Sequence, residues 1–180
     1  MRILKKALLI GSAFFVSGFV IADACPPVQA GEPVSVADIY DGDTVKLSDG
    51  RKVRLIGLNA PETKKKNKPA EPYSEQATEY LRQALQSNDV RLLLERDHKD
   101  HYGRWLGHLV IGNQLVSEGL IKSGLAFHIA IPPNLKFSYC LKQAEVSARN
   151  LGQGLWKDNP TRKATSLKNK EAGFRLLEGK

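Results

Sequence analysis

DGDT at residues 41–44 and RLIGLNAPE at residues 54–62 lie among short runs of alternating apolar residues that are broken by turn residues. Three of these runs predict strands, and Asp49-Gly50 is a strong hairpin signal between the second and the third. Short strands joined by tight turns predict an antiparallel meander that can curl into a barrel. The three predicted strands are at residues 34–40, 44–47 and 52–58.

The rest of the chain supplies two more predicted strands and three predicted helices. Ser74 is placed to cap the first helix, and Gly152 stands just past the third, where a helix commonly ends. The order of elements fits an α+β fold, mainly β: a five-stranded OB-fold barrel with three packed helices. These strands are at residues 90–95 and 104–111, and the helices are at residues 74–85, 114–122 and 136–150.

We expect one folded domain at residues 34–156, because the chain length fits a single domain. Residues 25–33 are interpreted as a leader into it. Residues 63–72 are charged and contain proline, so they are expected to form an exposed, mobile loop. Residues 157–180 carry seven basic and three acidic residues and predict a flexible tail. Such a tail favours non-specific contact with polyanions, or it simply keeps the protein soluble.

Residues 1–24 have the features of a cleaved signal peptide. A basic start at residues 1–6 precedes an uncharged, mostly apolar run at residues 7–21, and small residues ending at Ala24 suit a signal peptidase. Ala30 marks a second possible cleavage site. We therefore expect a secreted or periplasmic protein without stable membrane association after cleavage. Its formal net charge would fall from +8 to +6.

Two alternatives to a cleaved signal stay open. One is an uncleaved membrane anchor, although the run is shorter than the ~20 residues of a comfortable transmembrane helix. The other is a lipoprotein lipidated at Cys25, although Ala22 and Asp23 suit such a site poorly. In an oxidising compartment Cys25 and Cys140 can instead form one disulfide. No stretch of the sequence marks an oligomer face, so we expect a monomer.

Asp41 and Asp43 are the first candidates for chemistry. Two residues apart in extended chain, their carboxylates project to one side of a strand end, where oxygen ligands can hold a hard cation. An ordinary Asp-Gly turn is the alternative. An EF-hand is excluded, because loops starting at either aspartate would end at Lys52 or Arg54 instead of a glutamate.

Arg54, Glu62 and Arg104 complete the candidate set. Arg54 lies in an otherwise apolar strand, Glu62 ends the strand region, and Arg104 enters a strand after a Gly103 turn. Guanidinium groups bind phosphate and a carboxylate can activate water, so these parts suggest metal-assisted cleavage of a phosphodiester. A surface position is the alternative for both arginines. The four histidines lack metal-ligand spacing and are interpreted as surface or internally hydrogen-bonded residues: His98, His101, His108 and His128.

Five segments of the chain, taken in order, resemble the staphylococcal nuclease (thermonuclease) family, and they cover the whole predicted domain. Any one of them would be weak, but five with this spacing are specific. They are DGDTVKL at 41–47, VRLIGLNAPE at 53–62, Tyr73 with the helix that follows, DHYGR at 100–104, and the segment from Glu145 through GLW at 154–156.

The resemblance implies an OB-fold nuclease that binds one Ca²⁺ and cleaves DNA and RNA to 3′-phosphate ends. Arg54 and Arg104 would bind the scissile phosphate and offset charge on its oxygens. Glu62 would orient or deprotonate the attacking water. The implied metal ligands are Asp43, Asn59 and the backbone of Ala60, with Asp41 close by.

Two departures from the family pattern bear on this interpretation. Asn59 stands where the family has a second aspartate, so the site loses a formal negative charge and should bind the cation less tightly. The nucleotide-stacking aromatic residues of the family have no clear counterpart at residues 127–134. Phe127, or Tyr102 from the DHYGR segment, would have to substitute for them. The rival hypothesis is a non-catalytic OB-fold nucleic-acid-binding module with a degenerate metal site. A secreted scaffold for another acidic polymer is supported by charge alone.

Overall fold

The fold is mainly β, with three helices. The structure is a computed structural model that describes residues 25–86 and 89–157, so the predicted signal peptide and all but the first residue of the predicted tail lie outside the described residues. Five longer strands and three helices follow the predicted order. The strands are β1 (Glu32–Pro33), β2 (Val36–Asp41), β3 (Thr44–Leu47), β4 (Lys52–Leu55), β5 (Leu58–Asn59), β6 (Val90–Lys99), β7 (Trp105–Ile111), β8 (Gln114–Leu115) and β9 (Phe127–His128). The helices are α1 (Ser74–Ala84), α2 (Val116–Lys122) and α3 (Ser138–Asn150), and Gly154–Trp156 forms a 3-10 turn.

One large sheet positions the site. Its strands run in the order β1-β6-β7-β4-β3-β2, with β8 paired to β7. β2, β3 and β4 are the predicted antiparallel meander, and β4 lies parallel to β7 with Val53 opposite Trp105. Val45 and Val53 are fully buried, whereas Lys46 and Lys52 beside them are exposed, as a period of two requires. The predicted α+β fold of the OB type is confirmed.

The predicted strand at residues 52–58 is interrupted, and this is a correction. β4 ends at Leu55, and β5 leaves the large sheet to pair with β9. Gly57 turns the chain with a φ of +78°, and a Cβ there would lie 2.5 Å from Cδ1 of Leu141 on α3. The prediction was wrong because apolar periodicity contains neither the turn nor the contact with a distant helix. The break carries Asn59 back beside Arg54.

The ends of the helices confirm one expectation and correct another. Gly152, at φ +61°, follows α3 directly after Leu151, as predicted. Ser74 is not the cap of α1. Tyr73 precedes the first turn in the left-handed conformation, at φ 69°, and Ser74 is already a buried helical residue. Its burial, set by the packing of α1, cannot be read from the residue type.

The core lies between the sheet and the inner faces of the helices. Ala77 and Leu81 of α1 and Leu141 of α3 are fully buried there. A smaller cluster joins Phe127 to Trp156, whose rings meet edge to face at 5.1 Å. Each buried large apolar side chain contributes roughly 1.5–3 kcal/mol to folding, so these contacts hold α3 against the strands.

The segment predicted as a leader is part of the folded domain. Cys25 is bonded to Cys140 of α3 in a disulfide, and Val28 is buried, with its backbone N–H donating to the carbonyl of Asn113 at 2.9 Å. β1 pairs with β6. The guanidinium of Arg91 donates to the carbonyls of Val28, Gln29, Ala30 and Gly112. Because the Cys25 sulfur is bonded to Cys140, the lipoprotein alternative does not fit this structure.

The predicted loop at residues 63–72 lies on the surface, with every residue from 64 to 70 exposed. An isolated bridge joins Lys65 to Lys68. Across residues 25–86 and 89–157, the helices are all too short or too polar to cross a membrane.

Candidate active site

A cavity of about 570 Å³ opens beside β3 and β4 and collects most of the predicted site. Its wall includes side chains from β2, from the segment that follows β5, and from the turn before β7. The sequence-predicted residues that line it are Asp41, Asp43, Arg54, Asn59, Glu62 and Arg104. Tyr40, Thr44, Lys52, Thr63, Lys65 and Tyr102 line it as well.

Asp43 is fixed by the tight turn between β2 and β3. A Cβ on Gly42 would lie 2.6 Å from the Cβ of Ala77 and 2.7 Å from that of Ala60, so a larger residue does not fit there. The backbone N–H of Asp43 donates to Oδ1 of Asp41 at 3.0 Å. Thr44 Oγ1 donates to Asp43 Oδ1 at 3.0 Å, and the N–H of Ala60 donates to Oδ2 at 2.9 Å. These bonds hold the buried carboxylate in one orientation.

Arg54 lies at the centre of the site, with 4% of its surface exposed. Its Nη1 is 2.9 Å from Asp43 Oδ2 and donates to the carbonyl of Leu55 at 2.9 Å. Its Nη2 donates to Oδ1 of Asn59, also at 2.9 Å. The surface alternative for Arg54 is therefore wrong: it pairs with a buried carboxylate and orients the amide of Asn59.

Burial dominates the electrostatics of Asp43. Its pKa is raised to about 7, because desolvation penalises the charged form and the nearby Asp41 adds to that penalty. The Arg54 charge and the Ala60 N–H act in the opposite direction without cancelling it. A positive charge brought against the same oxygens would favour the ionised carboxylate.

The donors around Asp43 fit a hard cation by their chemistry. Asp41, Asp43 and Asn59 all present oxygen atoms to one cavity, and oxygen is what Ca²⁺ and Mg²⁺ prefer. Within residues 25–86 and 89–157 no three His, Cys, Asp or Glu side chains form a metal cluster. A cation here would thus depend on the Asn59 amide beside two carboxylates. Ala60 is buried behind Asp43.

Arg104 reaches the same cavity from the turn before β7. Its Nε donates to Oδ2 of Asp100 at 2.7 Å, and its backbone N–H donates to Oδ1 at 2.9 Å. The N–H of Tyr102 also donates to Oδ1 of Asp100 at 3.0 Å. The Arg104 side chain keeps 18% of its surface exposed, whereas that of Asp100 keeps 5%. Sequence reasoning missed Asp100 as the residue that positions Arg104, although the spacing of four around Gly103 was a signal.

Glu62 lines the cavity, and its side chain is 30% exposed. Its carboxylate is 2.9 Å from Nζ of Lys65. Its backbone N–H donates to Oε2 of Glu71 at 3.0 Å, and the N–H of Glu71 donates back to the Glu62 carbonyl at 2.9 Å. Glu71 and Lys65 were not singled out from the sequence, because both lie in a charged run that looks like solvated loop.

The two aromatic residues expected to stack on the nucleotide, Phe127 and Tyr102, differ in exposure. Phe127 is 1% exposed and packs on Trp156, so it cannot meet a substrate in this structure. Tyr102 is 57% exposed and lines the cavity, with the Arg104 guanidinium 5.5 Å from its ring centre. Tyr40, at 45% exposure, is a second cavity aromatic that sequence reasoning did not identify.

The histidines lie outside this cavity. His108 is buried with Nε2 2.7 Å from Glu95 Oε1. Burial opposes ionisation of Glu95, but the hydrogen bonds from His108 and from the Lys136 N–H outweigh it and lower the pKa of Glu95. His128 Nε2 lies 3.2 Å from Ser138 Oγ. Both fit the expectation of internally hydrogen-bonded histidines.

Comparison with known proteins gives a family-model match and several similar proteins. A family model described as staphylococcal nuclease homologue matches residues 52–158. The thermonuclease of Staphylococcus intermedius is 37% identical over 129 residues, which span 70% of this chain and 77% of that protein. The thermonuclease of Staphylococcus hyicus is 36% identical over 124 residues, or 67% of this chain and 73% of that protein. The endonuclease YncB of Bacillus subtilis is 33% identical over 128 residues, which span 68% of this chain and 61% of that protein.

Proposed function

The chain belongs to the staphylococcal nuclease family and is a nuclease, and from that premise we propose that it hydrolyses phosphodiester bonds of DNA and RNA with one Ca²⁺ bound, leaving 3′-phosphate ends. The observation that carries the proposal is the meeting of Asp43, Arg54, Glu62 and Arg104 around one cavity. The names of the relatives, thermonuclease and endonuclease, favour this enzyme over the non-catalytic binding module.

The cation would be held by Asp43, Asn59 and the backbone of Ala60, and Asp41 would lie close to it. A divalent ion bound there supplies Lewis-acid polarisation of a phosphoryl oxygen. Asn59 contributes an oxygen without a charge, and that oxygen already accepts a hydrogen bond from Arg54. Both facts support weaker metal binding than a carboxylate at residue 59 would give.

The two arginines would bind the scissile phosphate. Arg54 approaches from the buried strand β4 and Arg104 from the turn before β7, and both line the cavity. Their guanidinium groups are already oriented, by Asp43 and Asn59 in one case and by Asp100 in the other. Donors fixed before the reaction stabilise developing charge on phosphoryl oxygens without reorganisation.

Glu62 would orient a water molecule and accept its proton. Its side chain lines the cavity and is 30% exposed, although Oε2, the oxygen beside Lys65, is buried. In this structure Lys65 is paired with that carboxylate. Proton transfer requires hydrogen-bond contact between water and one of the two oxygens of the Glu62 carboxylate.

We also propose that the protein is secreted or periplasmic, with cleavage after Ala24, and acts as a monomer. Cleavage there would keep Cys25 and its bond to Cys140, whereas cleavage after Ala30 would remove Cys25 and the buried Val28. A disulfide that joins distant parts of a domain is typical of an oxidising compartment. An uncleaved anchor is the competing outcome, and N-terminal sequencing of the exported protein distinguishes them.

A digestion assay tests the catalytic proposal. Purified protein starting at Cys25 is incubated with single-stranded DNA and with RNA in millimolar Ca²⁺, with and without chelator, and the ends of the products are identified. We expect cleavage of both polymers, 3′-phosphate ends and arrest by chelator. Arg82→Ala removes an exposed arginine outside the cavity and is the matched control for Arg54→Ala. Intact DNA under these conditions would overturn the proposal.

A further inference from the structure

The cavity continues past the catalytic candidates to Tyr40 and Lys52. Nζ of Lys52 lies 4.2 Å from the centre of the Tyr40 ring, and both residues line the cavity that contains Arg54. Tyr40 is 45% exposed, so part of its ring is open to a ligand in the cavity. No role in metal binding or water activation accounts for this pair.

The strand geometry places the pair next to the reaction centre. Lys52 and Arg54 are alternate residues of β4, so their side chains leave the sheet on the same face. Tyr40 directly precedes Asp41 at the end of β2. The exposed Lys46 of β3 lies opposite Lys52 and adds positive charge to this end of the face.

A comparable pair borders the other end of the cavity. The Arg104 guanidinium lies 5.5 Å from the Tyr102 ring centre, and both residues line the cavity. In the sheet, β4 with Arg54 lies between β7 on that side and β3 and β2 on the other. An exposed aromatic ring with an adjacent cation therefore stands on each side of the buried arginine.

We propose that Tyr40 and Lys52 form a subsite for the nucleotide that neighbours the scissile phosphate on the β2 side. The base packs against the exposed surface of the Tyr40 ring, whose other part is covered by the ammonium, and Lys52 contacts that nucleotide's phosphate. Proteins bind single strands by this combination of aromatic stacking and backbone charge. The subsite rests on the proposed nuclease function and specifies how the site selects substrate length.

The test uses a ladder of single-stranded DNA oligonucleotides. It starts from a dinucleotide and adds one or two nucleotides at either the 5′ or the 3′ end, and kcat/KM is measured for each length. We expect one of the two directions of extension to raise kcat/KM of the wild-type protein. Tyr40→Ala should remove about tenfold of that gain, the usual scale of one base–aromatic stack. Tyr40→Phe should keep the gain.

An abasic nucleotide in the extension separates the two residues. It should erase the difference between wild type and Tyr40→Ala, because no base is left to stack, while Lys52→Ala still lowers kcat/KM. Tyr139→Ala and Lys142→Ala are matched controls, since these residues lie on α3 outside the cavity. Tyr40→Leu and Lys52→Gln replace any alanine variant whose thermal unfolding departs from wild type.

Two results would overturn the subsite while leaving the nuclease intact. One is a wild-type ladder in which neither extension changes kcat/KM. The other is a Tyr40→Ala effect that is equal on every oligonucleotide. If the wild-type protein cleaves nothing, the proposed function fails, and fluorescence anisotropy with the same labelled ladder still decides the subsite. Extension-dependent binding that Tyr40→Ala weakens would support it, and equal binding by both proteins would reject it.

Discussion

Arg54 and Arg104 face one cavity from two different kinds of surroundings. Arg54 is 4% exposed on a central strand, and its guanidinium bonds to Asp43, Asn59 and the carbonyl of Leu55. Arg104 follows a turn, keeps 18% of its side chain exposed and pairs with Asp100. The first arginine belongs to the buried interior as well as to the site, while the second belongs to the site alone. Two arginines in one site can thus contribute differently to the stability of the fold.

Replacing Arg54 should have the largest effect, because two functions are lost together. Arg54→Ala would leave the Asp43 carboxylate buried beside Asp41 without the guanidinium that pairs with it. It would also remove a fixed hydrogen-bond donor to the phosphate. We expect turnover to fall about 100-fold or more, and the free energy of unfolding to fall by about 3 kcal/mol. Digestion kinetics and urea unfolding measure the two losses. If the Arg54→Ala protein were as stable as Arg82→Ala, Arg54 would not stabilise the buried interior as proposed.

Arg104→Ala should separate activity from stability. Turnover should again fall about 100-fold, because a phosphate donor is lost. The free energy of unfolding should fall by less than in Arg54→Ala, because the Arg104 side chain keeps 18% of its surface exposed and is less deeply buried than Arg54. Asp100 keeps the backbone N–H donors of residues 102 and 104. Urea unfolding of both arginine variants under one set of conditions is the measurement, and equal destabilisation would contradict the distinction.

Asp100→Asn tests whether Arg104 needs the ion pair with Asp100 to act on the substrate. The amide retains an acceptor oxygen but loses the charge that orients Arg104 Nε, so we expect turnover to fall about tenfold, as for a displaced catalytic donor. The double variant Asp100→Asn/Arg104→Ala should be no slower than Arg104→Ala, because Asp100 acts through Arg104. Additive losses in this cycle would show instead that Asp100 acts independently.

Asn59→Asp is expected to give the smallest change and one of opposite sign. A third carboxylate, beside Asp41 and Asp43, adds negative charge for a cation and for Arg54, so Ca²⁺ should bind severalfold more tightly. Calorimetric titration of the purified protein with CaCl₂ measures this. Asn113→Asp adds the same charge at an exposed turn and serves as control. Unchanged affinity in Asn59→Asp would remove residue 59 from the proposed ligand set.

The sequence predicted the strands better than it predicted the burial of the site. Alternation placed Arg54 on the face opposite the core, but alternation does not reveal what covers a face. The partners of Arg54 come from the turn at Asp43 and from Asn59 beyond the Gly57 break, where the backbone passes close to Leu141 of α3. Such contacts join residues far apart in the chain, so a local pattern cannot contain them.

The family resemblance located the candidate residues, whereas their supports became visible only in the structure. Asp100 and Glu71 hold Arg104 and Glu62 in place through short-range bonds within charged, turn-rich segments. Charged residues in such segments usually face solvent, so the sequence alone did not indicate that Asp100 and Glu71 support the site. Phe127 was misjudged for the opposite reason: an aromatic in the expected segment is committed to packing on Trp156.

The bond between Cys25 and Cys140 spans 115 positions and encloses every residue of the proposed site in one covalent ring. The exposed lysine-rich segment at residues 63–72, a natural target for trypsin-like proteases, lies inside that ring. A single cut there leaves two polypeptides that stay joined through the disulfide, and no fragment is released. The nicked molecule would keep Asp43 and Arg54 connected to Arg104 for as long as its surroundings stay oxidising.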